Sequence, residues 1–311
     1  MRIAIVGAGG VGGLIGGSLA RSGADVSFVA RGAQLAALRE RGLEVKGPRG
    51  EFRAAVRASD DPAALPAADA VLVAVKGWQV KEVAPRLSPL VAPGGFAVPL
   101  ENGVDAADEL ARALGEERVA GGICHLSAFL EAPGVVRQVG DLFRVTVGER
   151  KGGGSPRLQA LVEALTAAGA EAKIADDIEA ATWEKFVFIA ALGGVGAVTR
   201  APVGVVRSLP ETRALLQASM EEIAAVARAR GVRLAPDAVV RSLATVDRFA
   251  AEGKASMQRD IEAGRPSELL DQTGAVVRLG REASVPVPVN ALLFASLLPQ
   301  EQAARAAPDG R

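Results

Sequence analysis

Three glycines at the spacing Gly7-x-Gly9-x-x-Gly12 stand directly after Ile3-Ala4-Ile5-Val6, which reads as a short buried strand. A run that reads as a helix through Leu14, Leu19 and Ala20 follows them. In that setting the first glycine permits a tight turn and the second lets backbone N–H groups approach a pyrophosphate. The third packs helix against strand, and the helix N-terminus faces the negative charge. The loop Gly7-Ala8-Gly9-Gly10-Val11-Gly12 is therefore read as a dinucleotide cradle, the alternative being a plain glycine-rich turn. A second strand at 25–29 ends in Phe28-Val29-Ala30-Arg31. Sites selective for NAD place an acid there to hold the ribose hydroxyls. Arg31 instead offers a planar guanidinium, which suits a 2′-phosphate. NADP(H) is expected over NAD(H), against the blander reading of a surface arginine at a strand end.

Other candidates lie at strand ends and on helices. Lys76, in Lys76-Gly77-Trp78-Gln79, follows a third strand at 70–75, and ligands bind in the crevice outside the carboxyl ends of such strands. Asn102-Gly103 follows a fourth strand, though Asn-Gly is also a favoured turn pair. Lys185, in Trp183-Glu184-Lys185-Phe186, shares one helical face with Thr182 and Ile189. An amine among Trp, Phe and Ile is partly desolvated and suited to donating a proton, although a lysine that snorkels to the surface is the commoner outcome. Ser256 opens a helix and could simply cap it. Glu268, in Gly264-Arg265-Pro266-Ser267-Glu268, could simply favour a first-turn dipole. His125, the lone histidine, is read as a structural residue beside a strand, and Cys124 lacks a cationic cluster to activate it.

The elements that must position these residues suggest two parts. At roughly 150 residues per domain, 311 residues make about two. Hydrophobic residues at 49% and charged residues at 23% fit a globular chain. Lys plus Arg and Asp plus Glu are 36 each, and this balance argues against a nucleic-acid partner. One cysteine and one histidine argue against disulfides and a transition-metal cage, and for a reducing compartment. No apolar run is read as reaching the ~18 residues that span a bilayer, and the early glycines break any export-signal core. A cytoplasmic enzyme or binding protein is expected.

Strands at 3–6, 25–29, 70–75 and 95–100, with a fifth at 118–123, alternate with helices as a parallel sheet requires. The runs 135–139 and 143–147 read as an antiparallel pair turning at Gly140-Asp141. A helix at 157–168 and a strand near 172–174 complete this half. Beyond Asp176-Asp177 helical periodicity takes over, at 178–191, 212–230, 237–251, 256–263 and 267–282. The domains are expected at 1–176 and 177–311. The Ala-rich tail after Pro299 is expected to fray, and the segment 286–299 could pack against a neighbour in a homodimer.

Taken together and in order, Gly7–Gly12, Arg31, Lys76-Gly77-Trp78-Gln79, Glu101-Asn102-Gly103, Trp183-Glu184-Lys185, Ser256-Met257 and Gly264–Glu268 resemble the ketopantoate reductase (2-dehydropantoate 2-reductase) family nearly end to end. The resemblance implies an α/β fold with an N-terminal Rossmann domain and an all-helical C-terminal domain, with NADPH and a 2-oxo acid in the cleft between them. It implies Lys185 as general acid, Ser256 on the substrate carboxylate and Glu268 by the nicotinamide end. Lys76 and Asn102 would contact cofactor and reacting centre, and Ser127 would make a backbone contact to the cofactor.

The reaction implied is reduction of ketopantoate to pantoate in pantothenate biosynthesis. Where the family's pantoate site carries three asparagines, this chain has Ile189, Gly193 and Val203. Each lost partner costs on the order of 1–3 kcal/mol where it leaves a buried polar group unsatisfied. A more apolar 2-oxo acid is therefore the runner-up, with Arg200 as a replacement anchor for its carboxylate. A non-catalytic NADP(H)-binding regulator needs the glycine loop and Arg31 but not Lys185, Ser256 and Glu268 together. A 3-hydroxyacid dehydrogenase relative suffers from the missing acid after strand two.

Overall fold

The chain's early glycines decide how closely the layers of its first half approach. The computed structural model describes residues 1–307. The chain divides into two units, the first made of Met1–Glu101 and Asp105–Ile178. This unit begins β1 (Arg2–Val6), α1 (Gly10–Arg21), β2 (Asp25–Val29), α2 (Gly32–Arg41), β3 (Leu43–Lys46), β4 (Phe52–Ala54) and β5 (Arg57–Ser59). It continues with β6 (Ala68–Val73), α3 (Val80–Val83), β7 (Val91–Pro99) and α4 (Ala106–Leu114). β8 (Ala120–Ala132), β9 (Val135–Glu149), α5 (Pro156–Ala167) and β10 (Glu171–Ile174) complete it.

Two sheets result. The first is parallel throughout in the order β5-β2-β1-β6-β7, with Ile5 of β1 registered on Phe28 of one neighbour and Leu72 of the other. All but the first residue of β1 is buried, as a strand covered on both faces must be. The second sheet runs β10-β9-β3-β4, with β8 paired antiparallel to β9.

Two expectations change here. The run 118–123 is not the fifth strand of the parallel sheet. It pairs with β7 only at the bridge Ala97–Val119 before the chain enters the second sheet as β8, and the short β5 takes the fifth place. Gly140-Asp141 is not a hairpin turn either. The 13-residue β8 pairs with both halves of β9, so the chain reverses at Pro133-Gly134, where Gly134 has φ +80°. Around Gly140 (φ +68°) residues 139–142 bulge opposite the single Ser127, because Ala128 pairs with Gln138 and Leu126 with Phe143.

Helix α1 is buried from Gly12 to Leu19 and lies against both sheets. Gly16 faces the first, where an added Cβ would sit 2.4 Å from Phe28 and 2.7 Å from Ile5. Gly13 and Gly17 face the second, at 2.5 Å from Val136 and 2.8 Å from Val45. Each helical glycine costs about 1 kcal/mol relative to alanine. Burial of Leu14, Ile15 and Leu19 between the sheets offsets that cost.

The second unit is Asn102–Val104 with the chain from Glu179 onward. It is helical: α6 (Ile178–Thr199), α7 (Val203–Ser208), α8 (Pro210–Ala229), α9 (Ala238–Arg248), α10 (Ser256–Glu262), α11 (Thr273–Glu282) and α12 (Pro288–Ala306). α6 runs a further two turns past the expected end at 191. Gly193, Gly194 and Gly196 do not stop it but let Met257, Leu293 and Gln258 pack against its backbone. Among the described residues it is the one helix long and apolar enough to cross a membrane, contrary to the expectation that no run reaches that length. Most of it is buried, with Trp183, Phe186, Val187, Ala190, Leu192 and Val195 in this unit's own core.

Residues 267–272 precede α11 instead of starting it, and the tail after Pro299 is helical to Ala306 instead of frayed. One side chain accounts for both. Glu301, one turn from the end of α12 and 1% exposed, accepts hydrogen bonds from the Ser267 N–H, the Ser267 hydroxyl and Arg305. At the other end of α12, Glu222 of α8 accepts from the Val289 and Asn290 N–H groups, which a helix start leaves unpaired. Pro308–Arg311 lie outside the described residues.

Because both sheets contact α1 at glycine, Gly16→Ala is expected to destabilise the protein by about 1–3 kcal/mol. The check is a urea titration, in which the midpoint falls while the slope stays the same.

Candidate active site

The glycine loop has the form that an anion needs. Gly7, at φ +99°, donates its N–H to Val29 O at 3.0 Å, and a Cβ there would sit 2.8 Å from Ala74 O. Gly9 is the N-cap of α1 and supplies no side chain to the helix's first amides. On its open side an added Cβ would meet nothing within 4 Å. Gly10 is backed by β8, with a Cβ position 2.3 Å from Ala128 O. The first-turn N–H groups of α1 thus face a space walled on one side by strand backbone and open on the other, which fits a pyrophosphate.

Gln34 of α2 braces this loop. Its amide donates to Ala8 O at 2.7 Å and accepts from Gly134 N–H at 2.7 Å. Arg31 is the N-cap residue of α2, with its side chain 69% exposed. Lys76 opens the turn after β6, its ammonium 5.9 Å from the Trp78 ring centre and its backbone N–H donating to the Gln79 side-chain Oε1. Ser127 lies at the β8 bulge, one residue before the carbonyl that backs Gly10. The structure therefore gathers Gly7–Gly12 and Ser127 at one end of the parallel sheet, with α2 tied in through Gln34.

The second unit gathers another group. Lys185 is 9% exposed, so it does not snorkel, and its Nζ donates to Asn102 Oδ1 at 2.9 Å. Asn102 Nδ2 donates to Glu268 Oε2 at 3.3 Å, and Gln272 Nε2 donates to the same oxygen at 3.3 Å. An ammonium can only donate and a carboxylate can only accept, so the orientation of the Asn102 amide is fixed by its two neighbours. Glu268 is 3% exposed and lies before α11, not in its first turn. The amide bridge lets two buried opposite charges satisfy each other without direct contact. Asn102 reaches this group because Asn102–Val104 belong to the second unit although the chain on both sides belongs to the first. Val104 packs in that unit's core.

Lys185, Ile189 and Gly193 recur at intervals of four along α6 and share a face. At Gly193 an added Cβ would sit 2.9 Å from Met257 and 3.3 Å from the Gln272 carbonyl oxygen. Ser256, the residue before Met257, is the first residue of α10; the N-cap is Ala255, so capping does not explain the serine. Gln272 and Glu301 were not singled out in the sequence. A glutamine one turn after Glu268 was the only available sign of the first, and the second answers to Ser267 across 34 residues.

Four candidates stand apart. Arg200 follows the end of α6 at φ +54° and is exposed. Fifteen residues of helical rise put it roughly 20 Å from Lys185, which is too far for a shared carboxylate. Its charge acts on Glu262, whose carboxyl is held below its usual range first by a hydrogen bond from Lys254, then by Gln258 and the Lys254 and Arg200 charges. Val203 is core, not pocket wall. His125 is a ladder residue opposite Arg144, and the Cys124 thiol is buried against Leu100 O.

Comparison with known proteins gives one consistent result. The family model described as ketopantoate reductase PanE/ApbA matches residues 3–152, and its C-terminal companion matches 177–301. A 2-dehydropantoate 2-reductase of Mesorhizobium japonicum is 31% identical, over 93% of this chain and 94% of its own. An uncharacterized oxidoreductase of Bacillus subtilis, YkpB, is 30% identical over 96% and 98%. Among solved structures, a PanE/ApbA family ketopantoate reductase from Ralstonia eutropha superposes with a TM-score of 0.89 at 30% identity, covering 98% of this chain and 100% of that one.

The open side of Gly9 yields a test. Gly9→Ala is expected to change fold stability by less than about 1 kcal/mol while weakening NADPH binding about tenfold or more. Thermal melting of the free protein and a fluorescence titration check the two halves; unchanged affinity would remove the loop from the cofactor site.

Proposed function

We propose, from the premise that the chain belongs to the ketopantoate reductase family, that it uses NADPH to reduce a 2-oxo acid to the 2-hydroxy acid. Ketopantoate is the substrate that the relatives' names favour, which would set the enzyme in pantothenate biosynthesis in the cytoplasm. Membership makes the chain an oxidoreductase acting on CH–OH groups. The observation that carries the reading is the buried Lys185 ammonium fastened to Asn102.

When bound, NADPH supplies a hydride to the carbonyl carbon. Gly7–Gly12 would hold its pyrophosphate and Arg31 its 2′-phosphate, with Lys76 and the Ser127 backbone as further contacts. One of the three Lys185 donors goes to Asn102, leaving donors for the substrate's carbonyl oxygen. As that oxygen gains negative charge, the ammonium stabilises it and gives up a proton. Because the charge is greatest in the transition state, the interaction raises turnover more than affinity. Asn102 holds the ammonium in place, and Glu268, itself held by Gln272, holds Asn102. The Ser256 hydroxyl binds the substrate carboxylate.

A second reading keeps this chemistry and changes the acid. Ile189 and Gly193 leave the Lys185 face of α6 without an amide, and Met257 packs over Gly193. A pocket of that composition favours an apolar branched 2-oxo acid over a hydroxylated one. Steady-state rates with NADPH on ketopantoate and a series of branched 2-oxo acids separate the two readings. Ketopantoate reduction no faster than background, beside robust turnover of another acid, selects the second. In either case Lys185→Ala is expected to lower kcat by about 10²–10⁴-fold with a smaller change in KM. Turnover unaffected by that substitution would overturn the mechanism. Tight NADPH binding without reduction of any acid would return the regulator reading.

A further inference from the structure

Sequence order places no acid at the end of β2, but the fold brings one there. Glu82 of α3 has its Oε1 3.6 Å from Arg31 Nη1, and both side chains are mostly exposed, at 64% and 69%. Lys81, the neighbouring cation, is turned to Glu109 at 3.3 Å and does not neutralise Glu82. A further carboxylate borders the same strand ends, since Asp60 follows Ser59, whose carbonyl accepts from the Ala30 N–H at 3.0 Å. Arg31 itself is tied into the cofactor end through α2, where Gln34 holds the Ala8 carbonyl.

We propose that Glu82 sets cofactor selectivity, its carboxylate competing with a 2′-phosphate for Arg31 and opening the site to the dinucleotide that lacks that phosphate. The inference rests on the reading of Gly7–Gly12 and Arg31 as a nicotinamide dinucleotide site. A ribose 2′-phosphate carries between one and two negative charges near neutral pH. To reach Arg31 it must displace or approach the Glu82 carboxylate, and one guanidinium beside one carboxylate leaves no net positive charge to draw it in. A ribose with free hydroxyls meets no such repulsion. Those hydroxyls are donors, and Glu82 is an acceptor within reach of the same guanidinium. The pair therefore answers to both cofactors, Arg31 to the phosphate and Glu82 to the diol.

Fluorescence titration of NADPH and NADH into the wild-type protein, Glu82→Gln and the double variant Arg31→Ala/Glu82→Gln tests this. The wild type is expected to bind both cofactors. Glu82→Gln should tighten NADPH about three- to fivefold, as for one exposed charge pair, with NADH unchanged or weaker. The gain should shrink at high salt, because the charges are exposed, and vanish in the double variant. A merely structural role for Glu82 would shift both cofactors together and ignore salt. An identical NADPH-to-NADH ratio in the wild type and Glu82→Gln, or a wild type that binds NADPH alone, overturns the proposal and leaves the cofactor site standing. A wild type that binds neither overturns the reading beneath it as well.

Discussion

Two opposite charges kept out of water and joined through a single amide are the constraint on which the helical unit turns. Lys185 and Glu268 are both buried, and Asn102 accepts from one and donates to the other. Burying either charge alone would cost several kcal/mol. A direct ion pair would satisfy both, but it would also commit the ammonium to the carboxylate. With the amide interposed, the carboxylate is satisfied by Asn102 and Gln272, and the ammonium keeps donors uncommitted to Glu268. The rest of the unit serves this arrangement. The Glu301–Ser267 clamp fixes the residue before Glu268, and the Glu222 cap fixes the start of the helix that carries Glu301.

The first unit solves a different problem with the opposite material. Its cofactor end is built from residues with no side chain at all. The glycines between Gly7 and Gly17 do two jobs along one stretch of chain. Gly9 leaves space where an anion can approach, while Gly13, Gly16 and Gly17 remove space so that two sheets can press on one helix. A helix this rich in glycine would not persist alone. Burial between two sheets holds it, and that burial also keeps its N-terminal amides aimed at the cradle.

Much of this was legible in the chain. Period and punctuation gave β1, α1 and β2, and put Lys185 and Glu268 on the page as candidates. What escaped was long-range. The hairpin is local, but β8 is long enough to override the turn signal at Gly140-Asp141, pairing with β9 on both sides of it. From sequence the first helix of this unit is expected to end at 191, and the residues that fill the grooves at Gly193, Gly194 and Gly196, namely Met257, Leu293 and Gln258, come 60 to 100 positions later. The Ala-rich tail after Pro299 is expected to fray because its anchor, Glu301, holds a loop more than 30 residues away. Arg200 looked like an anchor because proximity in sequence to a lysine helix is not proximity in space once the helix is straight. Glu82 was invisible for the converse reason: an acid on α3 reaches the end of β2 only after the sheet has formed.

The pocket face of α6 carries the last constraint. A side chain added at Gly193 meets the terminal methyl of Met257 at 2.9 Å and the Gln272 side-chain Oε1 at 3.3 Å, so it displaces the first and crowds the second. Gln272, in turn, cannot move freely, because its other end holds Glu268 and so, through Asn102, the ammonium. The Gly193 face of α6 and the placing of the Lys185 ammonium are therefore coupled through one glutamine. A larger side chain on this face presses on the Gln272 amide, and any shift of that amide loosens one of the two hydrogen bonds that satisfy Glu268.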